Sequence, residues 1–251
     1  MTRLGDGVRL AVGTLTAVPV PAPRQIDRAV AGVAMALGPF AALPLAAAAG
    51  LIVLGGAAIG LPAPAVAALA LGAVALGSRG LHLDGLADTA DGLGASYDRA
   101  KALDVMRRGD SGPTGIATLV LVLLVQFGAL TGAISAGHGA AAAVVAVLCG
   151  RCVLSLCCAK GVPSARPEGL GATVAQSVPR AVAALVFVVA AGLATLAPGL
   201  PWWRGLLAVA VGYAAAALVL ARCVQRIGGI TGDVLGGCVE AAVAGALLAT
   251  A

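Results

Sequence analysis

Charge is what this chain has least of. Of its 251 residues only 11% are Asp, Glu, Lys or Arg, while 60% are hydrophobic, and the mean hydropathy is +1.02. A soluble domain covers itself with roughly 25% charged residues, so this scarcity excludes a water-facing exterior and leaves lipid as the surroundings. No charged side chain occurs from residue 29 to 78 or from 111 to 150. Each run far exceeds the ~20 residues of one crossing and predicts two. A second CxxC that would complete Cys149 and Cys152 as a four-ligand zinc site is missing too. So is a small-residue cleavage site after the apolar stretch from Leu10 to Val20, which Pro19 interrupts and Pro21, Pro23 and Arg24 follow. The six cysteines are therefore expected as small apolar fillers, and the N-terminal stretch is not expected to be a signal peptide.

What is present is an all-α pattern. Apolar runs bounded by Pro, Gly and charge predict seven helices, near residues 30–55, 62–78, 114–135, 139–159, 181–198, 205–222 and 234–251. The last is short and interrupted by Glu240, which is compatible with half insertion. The expectation is one polytopic transmembrane helix bundle of six to seven spans, forming a single domain over residues 1–251. Small-xxx-small spacings occur at Gly56/Gly60, Gly128/Gly132 and Gly232/Gly236. Among 36 glycines such spacings arise by chance, so they assign no dimer face and leave a homo-oligomer open.

The cations set the orientation. With seven spans, the tail 1–29, the segments 79–113 and 160–180 and the turn 222–233 share one side and hold 14 of the 16 Lys and Arg. Arg204 lies opposite and Arg151 within a helix. Positive residues stay inside, so the N-terminus and the rich face are expected to be cytoplasmic in a multi-pass inner-membrane protein. All eleven acids, Asp6 through Glu240, fall on or near that face. A net charge of +5 gives the inner rim an affinity for anionic lipid and phosphorylated ligands.

The most informative segment is Gly80-Leu-His-Leu-Asp-Gly-Leu-Ala-Asp-Thr-Ala-Asp-Gly-Leu-Gly94. Asp84, Asp88 and Asp91, spaced i, i+4, i+7, fall within about 60° on one helix face. Three carboxylates with no intervening cation repel one another unless something positive binds between them. Mg²⁺, which takes one or two carboxylates and bridges to substrate phosphates, is the natural partner. A solvated Asp-rich turn is the bland alternative, but acids bordering a span are functional by default. His82, two residues earlier, is a ligand, a base, a phosphate donor or a packed interfacial residue.

Further polar clusters share the face. Arg107, Arg108 and Asp110 precede the third span. In Arg166-Pro-Glu-Gly-Leu-Gly171, Arg166 can clamp a phosphate and Glu168 a hydroxyl. Gly228-Gly-Ile-Thr-Gly-Asp-Val-Leu-Gly236 is a Gly-rich turn that either cradles phosphate or permits a sharp re-entry, and Asp233 and Glu240 share one helix face beyond it. Arg151 is expected to snorkel or to pair with one of these acids.

At Leu81-His-Leu-Asp-Gly-Leu-Ala-Asp-Thr-Ala-Asp-Gly92, Ala165-Arg-Pro-Glu-Gly-Leu-Gly171 and Gly228 to Gly236 with Glu240, the chain resembles the cobalamin synthase family, the adenosylcobinamide-GDP ribazoletransferases of vitamin B12 assembly. Thr16-Ala-Val-Pro-Val-Pro21 resembles the family's entry segment more loosely. The resemblance implies a membrane transferase in which the ribose 3′-hydroxyl of α-ribazole, or of its 5′-phosphate, attacks the phosphorus attached to cobinamide and GMP leaves, with Mg²⁺ as cofactor. Asp84, Asp88 and Asp91 would hold the metal. Arg166, with Arg107 or Arg151, would stabilise the departing charge. Glu168, Asp233 or Glu240 would orient the hydroxyl or accept its proton. Where the family carries Asp-Ser-Arg then Gly-Thr, this chain has Arg108-Gly-Asp-Ser-Gly-Pro-Thr-Gly115, and Val243 stands where a second acid often follows Glu240. The implied partners are adenosylcobinamide-GDP, α-ribazole and membrane lipid, with no nucleic acid.

Two absences weigh against rivals. CDP-alcohol phosphatidyltransferases begin their signature with Asp-Gly-x-x-Ala-Arg, and here Asp84-Gly-Leu-Ala-Asp-Thr lacks the Ala-Arg. A transporter places polar groups at the midplane, whereas the first four predicted spans are nearly free of ionisable residues.

Overall fold

The computed structural model describes residues 3–251; Met1 and Thr2 of the predicted domain lie outside it. The described chain is all-helical apart from turns and two isolated parallel bridges, Ala159 with Val178 and Ser164 with Ile230. In chain order the helices are α1 (Arg3–Leu15), α2 (Arg28–Ala36), α3 (Gly38–Ala41), α4 (Leu43–Ala58), α5 (Ala63–Gly77), α6 (Leu81–Ala95), α7 (Arg99–Arg108), α8 (Pro113–Ser135), α9 (Gly139–Cys157), α10 (Leu170–Val174), α11 (Arg180–Ala194), α12 (Trp202–Ile227) and α13 (Gly232–Thr250).

Four helices, α8, α9, α12 and α13, are long and apolar enough to cross a membrane, and the protein is a membrane protein on that ground. α4 and α11 are apolar but only 16 and 15 residues long. α5 and α6 pass the same test as a pair but bend by 87°, so α6 does not continue the α5 crossing. Arg79 and Gly80 make this bend with φ of 58° and 67°. Arg79 is held there because its guanidinium donates to the Gly13 carbonyl at 2.6 Å, near the end of α1.

One predicted element changes. The span expected over residues 30–55 is broken at Leu37 and Ala42 into α2, α3 and α4. Pro39 and Pro44 sit in the first turns of α3 and α4, where a missing N–H is harmless; inside one continuous helix each would have removed an i→i−4 bond. The last segment, interrupted in sequence by Glu240, is an unbroken 19-residue helix. α13 packs against α12, α6, α9 and α8 and lies at the centre of the bundle. All six cysteines are buried and free, as apolar fillers should be.

Candidate active site

The reactive residues gather where α6 crosses the start of α13. The two backbones almost touch there. A Cβ on Gly85 would stand 2.7 Å from the Asp233 carbonyl oxygen, and one on Gly236 would stand 2.9 Å from that of His82. Glycine is needed at both positions for this approach, and the approach brings Asp84 and Asp88 of α6 beside Asp233.

Asp84 is exposed and Asp88 buried, and neither carboxylate has a hydrogen-bond partner among the described residues. Burial first, then the charges of Asp84, Asp233 and Asp91, push the Asp88 carboxyl up to about 6, while Arg166 pulls it down. Asp233 is fixed by its own turn. Thr231 caps α13 by accepting from the Val234 N–H at 3.2 Å, and its hydroxyl donates to Asp233 Oδ2 at 3.1 Å.

The sequence grouped Asp91 with Asp84 and Asp88 as a metal ligand. The structure turns it elsewhere. Asp91 accepts from the Gly112 N–H at 2.7 Å through one oxygen and from the Gly115 N–H at 2.8 Å through the other. It thereby satisfies orphan donors at the N-terminus of α8, where Pro113 has none to offer and Gly112 brings no side chain. Both of its oxygens thus serve the start of α8, while its charge is still felt at Asp88. Among the described residues no three His, Cys, Asp or Glu side chains converge to enclose a metal ion.

Asp233 helps line a cavity of about 180 Å³ between the segments 166–171 and 230–233, with Arg166, Glu168 and Thr231 among its other lining residues. Its walls are tied together: the Ala165 N–H donates to the Ile230 carbonyl and the Ile230 N–H to that of Pro163, each at 2.9 Å. Arg99 fastens the same walls by donating to Ile227 O at 2.8 Å and Ala165 O at 3.0 Å. Arg166 donates to Leu103 O at 2.7 Å, its Nε buried and unpartnered. Glu168 is exposed on the rim without a partner among the described residues.

The remaining predicted residues separate into two groups. Arg107 and Arg108 are exposed at the end of α7, with Arg108 paired to Asp104 at 2.6 Å, and neither contributes to the charge felt at Asp88. His82, Arg151 and Glu240 lie inside the bundle. Arg151 is fully buried on α9, with one guanidinium nitrogen 3.3 Å from His82 Nδ1. Glu240, two turns below Asp233, accepts from Gln126 Nε2 of α8 at 2.8 Å. Asp233 and Glu240 share a face of α13 as the spacing predicted, but Glu240 is buried in the interior two turns on and bonds Gln126. Gln126 escaped the sequence reading, although it is the lone amide side chain within a 23-residue apolar helix and an intramembrane polar residue is itself a signal. Gly236 belonged to a small-xxx-small spacing and Thr231 to the Gly-rich turn, but neither pattern showed that they meet α6 and Asp233.

Comparison with known proteins gives a consistent result over the chain's length. The cobalamin-5-phosphate synthase family matches residues 7–251. An adenosylcobinamide-GDP ribazoletransferase of Nocardioides sp. is 46% identical over 246 residues, covering 98% of each chain. One of Frankia casuarinae is 41% identical over 97% of this chain and 93% of its own. One of Pseudomonas putida is 37% identical over 92% of each. No solved structure matches.

Proposed function

This chain belongs to the cobalamin-5-phosphate synthase family, and on that premise we propose how its residues divide the work of the family's reaction. The protein is a transferase of cobalamin biosynthesis. It joins α-ribazole, or its 5′-phosphate, to adenosylcobinamide-GDP and releases GMP, the last step of nucleotide-loop assembly.

The observation that carries the proposal is the meeting of Asp84, Asp88 and Asp233 beside a cavity lined by Arg166 and Glu168. Two unpartnered carboxylates on consecutive turns of α6 suit Mg²⁺, which keeps several waters and needs one or two protein carboxylates plus substrate phosphates rather than a closed protein cage. Asp84 and Asp88 would hold it, with Asp233 adjacent. The ion would supply neutralisation of the charge that spreads over the diphosphate during transfer.

The protein's own residues do the rest. Arg166, held by Leu103 O and felt electrostatically at both Asp88 and Asp233, offers its free donors to the oxygens of the leaving GMP. Asp233, steadied by Thr231, and Glu168 on the rim are the carboxylates able to orient the ribazole hydroxyl. The hydroxyl oxygen forms the new bond to the phosphorus bearing cobinamide, the bond to GMP breaks, and the hydroxyl proton leaves to a carboxylate or to water. Glu240 is removed from this role by its place in the interior. The concentration of 14 of 16 cations on one side supports a cytoplasmic active site in the inner membrane, with lipid around the helices.

The test is GMP release from adenosylcobinamide-GDP by purified protein in detergent, with and without α-ribazole and Mg²⁺. Asp84→Ala is expected to lose about a thousandfold in kcat, on the scale of removing one group that stabilises transition-state charge, while still inserting into the membrane. Full activity of that variant would reject the assignment, and so would release unaffected by chelation of divalent cations.

A further inference from the structure

Arg151 sits in the bundle interior with few partners. A guanidinium carries five N–H donors and no acceptor. Here one nitrogen meets His82 Nδ1 at 3.3 Å, another lies a long 3.5 Å from the Val147 carbonyl, and Nε has no partner. Glu240 contributes opposing charge without forming an ion pair with it. Because arginine only donates, His82 Nδ1 must accept, and the ring proton belongs on Nε2. Nε2 is itself buried without a partner, and His82 is 3% exposed. Neither side chain reaches the cavity between residues 166 and 233.

His82 stands in the first turn of α6, just past the left-handed Arg79 and Gly80. The N-cap there is Gly80, which provides no side-chain cap. The turn is instead gripped from its flanks, by the backbone of Gly236 on α13 and by Arg151 on α9. Asp84 follows His82 by two residues and Asp88 by six, so any rotation or slippage of this turn is transmitted to both.

We infer that Arg151 and His82 form a positioning pair: the guanidinium fixes the tautomer and orientation of the imidazole, pins the first turn of α6, and so sets where Asp84 and Asp88 stand against Asp233. The inference rests on reading those aspartates as the reactive centre. It replaces the substrate contacts that the sequence suggested for both residues.

Asn and Gln separate the two ring nitrogens. The Asn amide oxygen takes the place of Nδ1, and the Gln amide takes that of Nε2. His82→Asn keeps the acceptor for Arg151 and is expected to retain kcat within about threefold of wild type. His82→Gln, His82→Ala and Arg151→Met should each lose at least about tenfold in kcat with little change in KM for adenosylcobinamide-GDP. Binding of Mn²⁺, followed by electron paramagnetic resonance without substrate, should weaken about tenfold in those three and survive in His82→Asn. Adding Arg151→Met to His82→Ala should cost nothing further, because the two act as one unit. If Arg151→Met does not yield folded protein, as judged by its melt in detergent, Arg151→Lys is read in its place, and because its ammonium still donates to Nδ1 without the planar fork its losses should be smaller than those of His82→Ala. An active His82→Gln beside a dead His82→Asn would overturn the inference by showing that Nε2 is the working atom. Additive losses, or Mn²⁺ binding unchanged in all variants, would overturn it as well. An inactive wild type or an active Asp84→Ala would instead sink the functional reading beneath it.

Discussion

Replacing Asp91 with Asn should destabilise the protein in the absence of metal, and the sign of that change separates two roles for the residue. Asp91 is 6% exposed and accepts one backbone N–H on each oxygen, at 2.7 and 2.8 Å, from the start of α8. Asn keeps one of these bonds and turns its NH₂ toward the other donor. The loss is one charge-assisted hydrogen bond, about 1.5–3 kcal/mol, together with the attraction of an anion to a helix N-terminus, about 0.3–1 kcal/mol. Relief of the repulsion with Asp88 offsets a part of this. A net destabilisation of about 2–4 kcal/mol translates, for a chain of this length, into a melting temperature lower by about 5–15 °C. The assay is a thermal melt of the detergent-solubilised protein in chelator, repeated with Mg²⁺. If Asp91 were instead one of three clustered metal ligands, removing its charge would relieve repulsion, leaving the melt without metal unchanged or higher and abolishing the rise on adding Mg²⁺. A melting temperature in chelator at or above that of the wild type would refute the capping role.

Two further outcomes follow from the same crossing. Asp88 holds its proton more tightly in the folded protein, where its pKa is about 6, than in the unfolded chain; its protonation stabilises the fold below pH ~4, and that contribution is lost as pH rises through about 6. Melts without metal should therefore show stability falling across that window, with Mg²⁺ reversing the loss; a rise in stability with pH over the same window would contradict the charge repulsion described. Gly85→Ala would place a methyl 2.7 Å from the Asp233 carbonyl oxygen and should reduce kcat at least about tenfold by parting α6 from α13, whereas Gly72→Ala, with nothing within 4 Å, should be silent; equal activities in the GMP-release assay would show that the close approach is dispensable.

Hydropathy made α8, α9 and α12 legible, because in lipid the apolar run is the helix. It could not locate the breaks at Leu37 and Ala42, since Pro39 and Pro44 look alike to a hydropathy window whether they kink one helix or start another. α13 was underrated for a related reason: Glu240 reads as an interruption, and only Gln126, 114 residues earlier in sequence, supplies the hydrogen bond that lets it be buried. At the site, the i, i+4, i+7 spacing placed Asp84, Asp88 and Asp91 on one face of α6. Spacing cannot say what that face meets. It meets two different things, the start of α13 at one end and the start of α8 at the other, so Asp233 joins the cluster while Asp91 is also taken up by the N–H groups of α8.

The cations explain why the acids stay unpaired. Arg99 spends its donors on Ile227 O and Ala165 O, and Arg226 on Ser96 O at 2.8 Å while stacking on Tyr97. Ile227 O and Ser96 O lie at the ends of α12 and α6, where carbonyls lack intrahelical partners, and Ala165 O lies in the loop that walls the cavity. The ion pairs among the described residues, Arg9 with Asp6 and Arg108 with Asp104, each lie within a single helix. Arg166 alone is felt at both Asp88 and Asp233, and one of its donors is already committed to Leu103 O. Asp84, Asp88 and Asp233 are thus left with less positive charge than they carry negative. A diphosphate approaching them alone would meet net repulsion, while a divalent cation alone would keep coordination positions filled only by water. Each should bind more tightly in the presence of the other, which is the coupling a phosphoryl-transfer site requires before its nucleophile arrives.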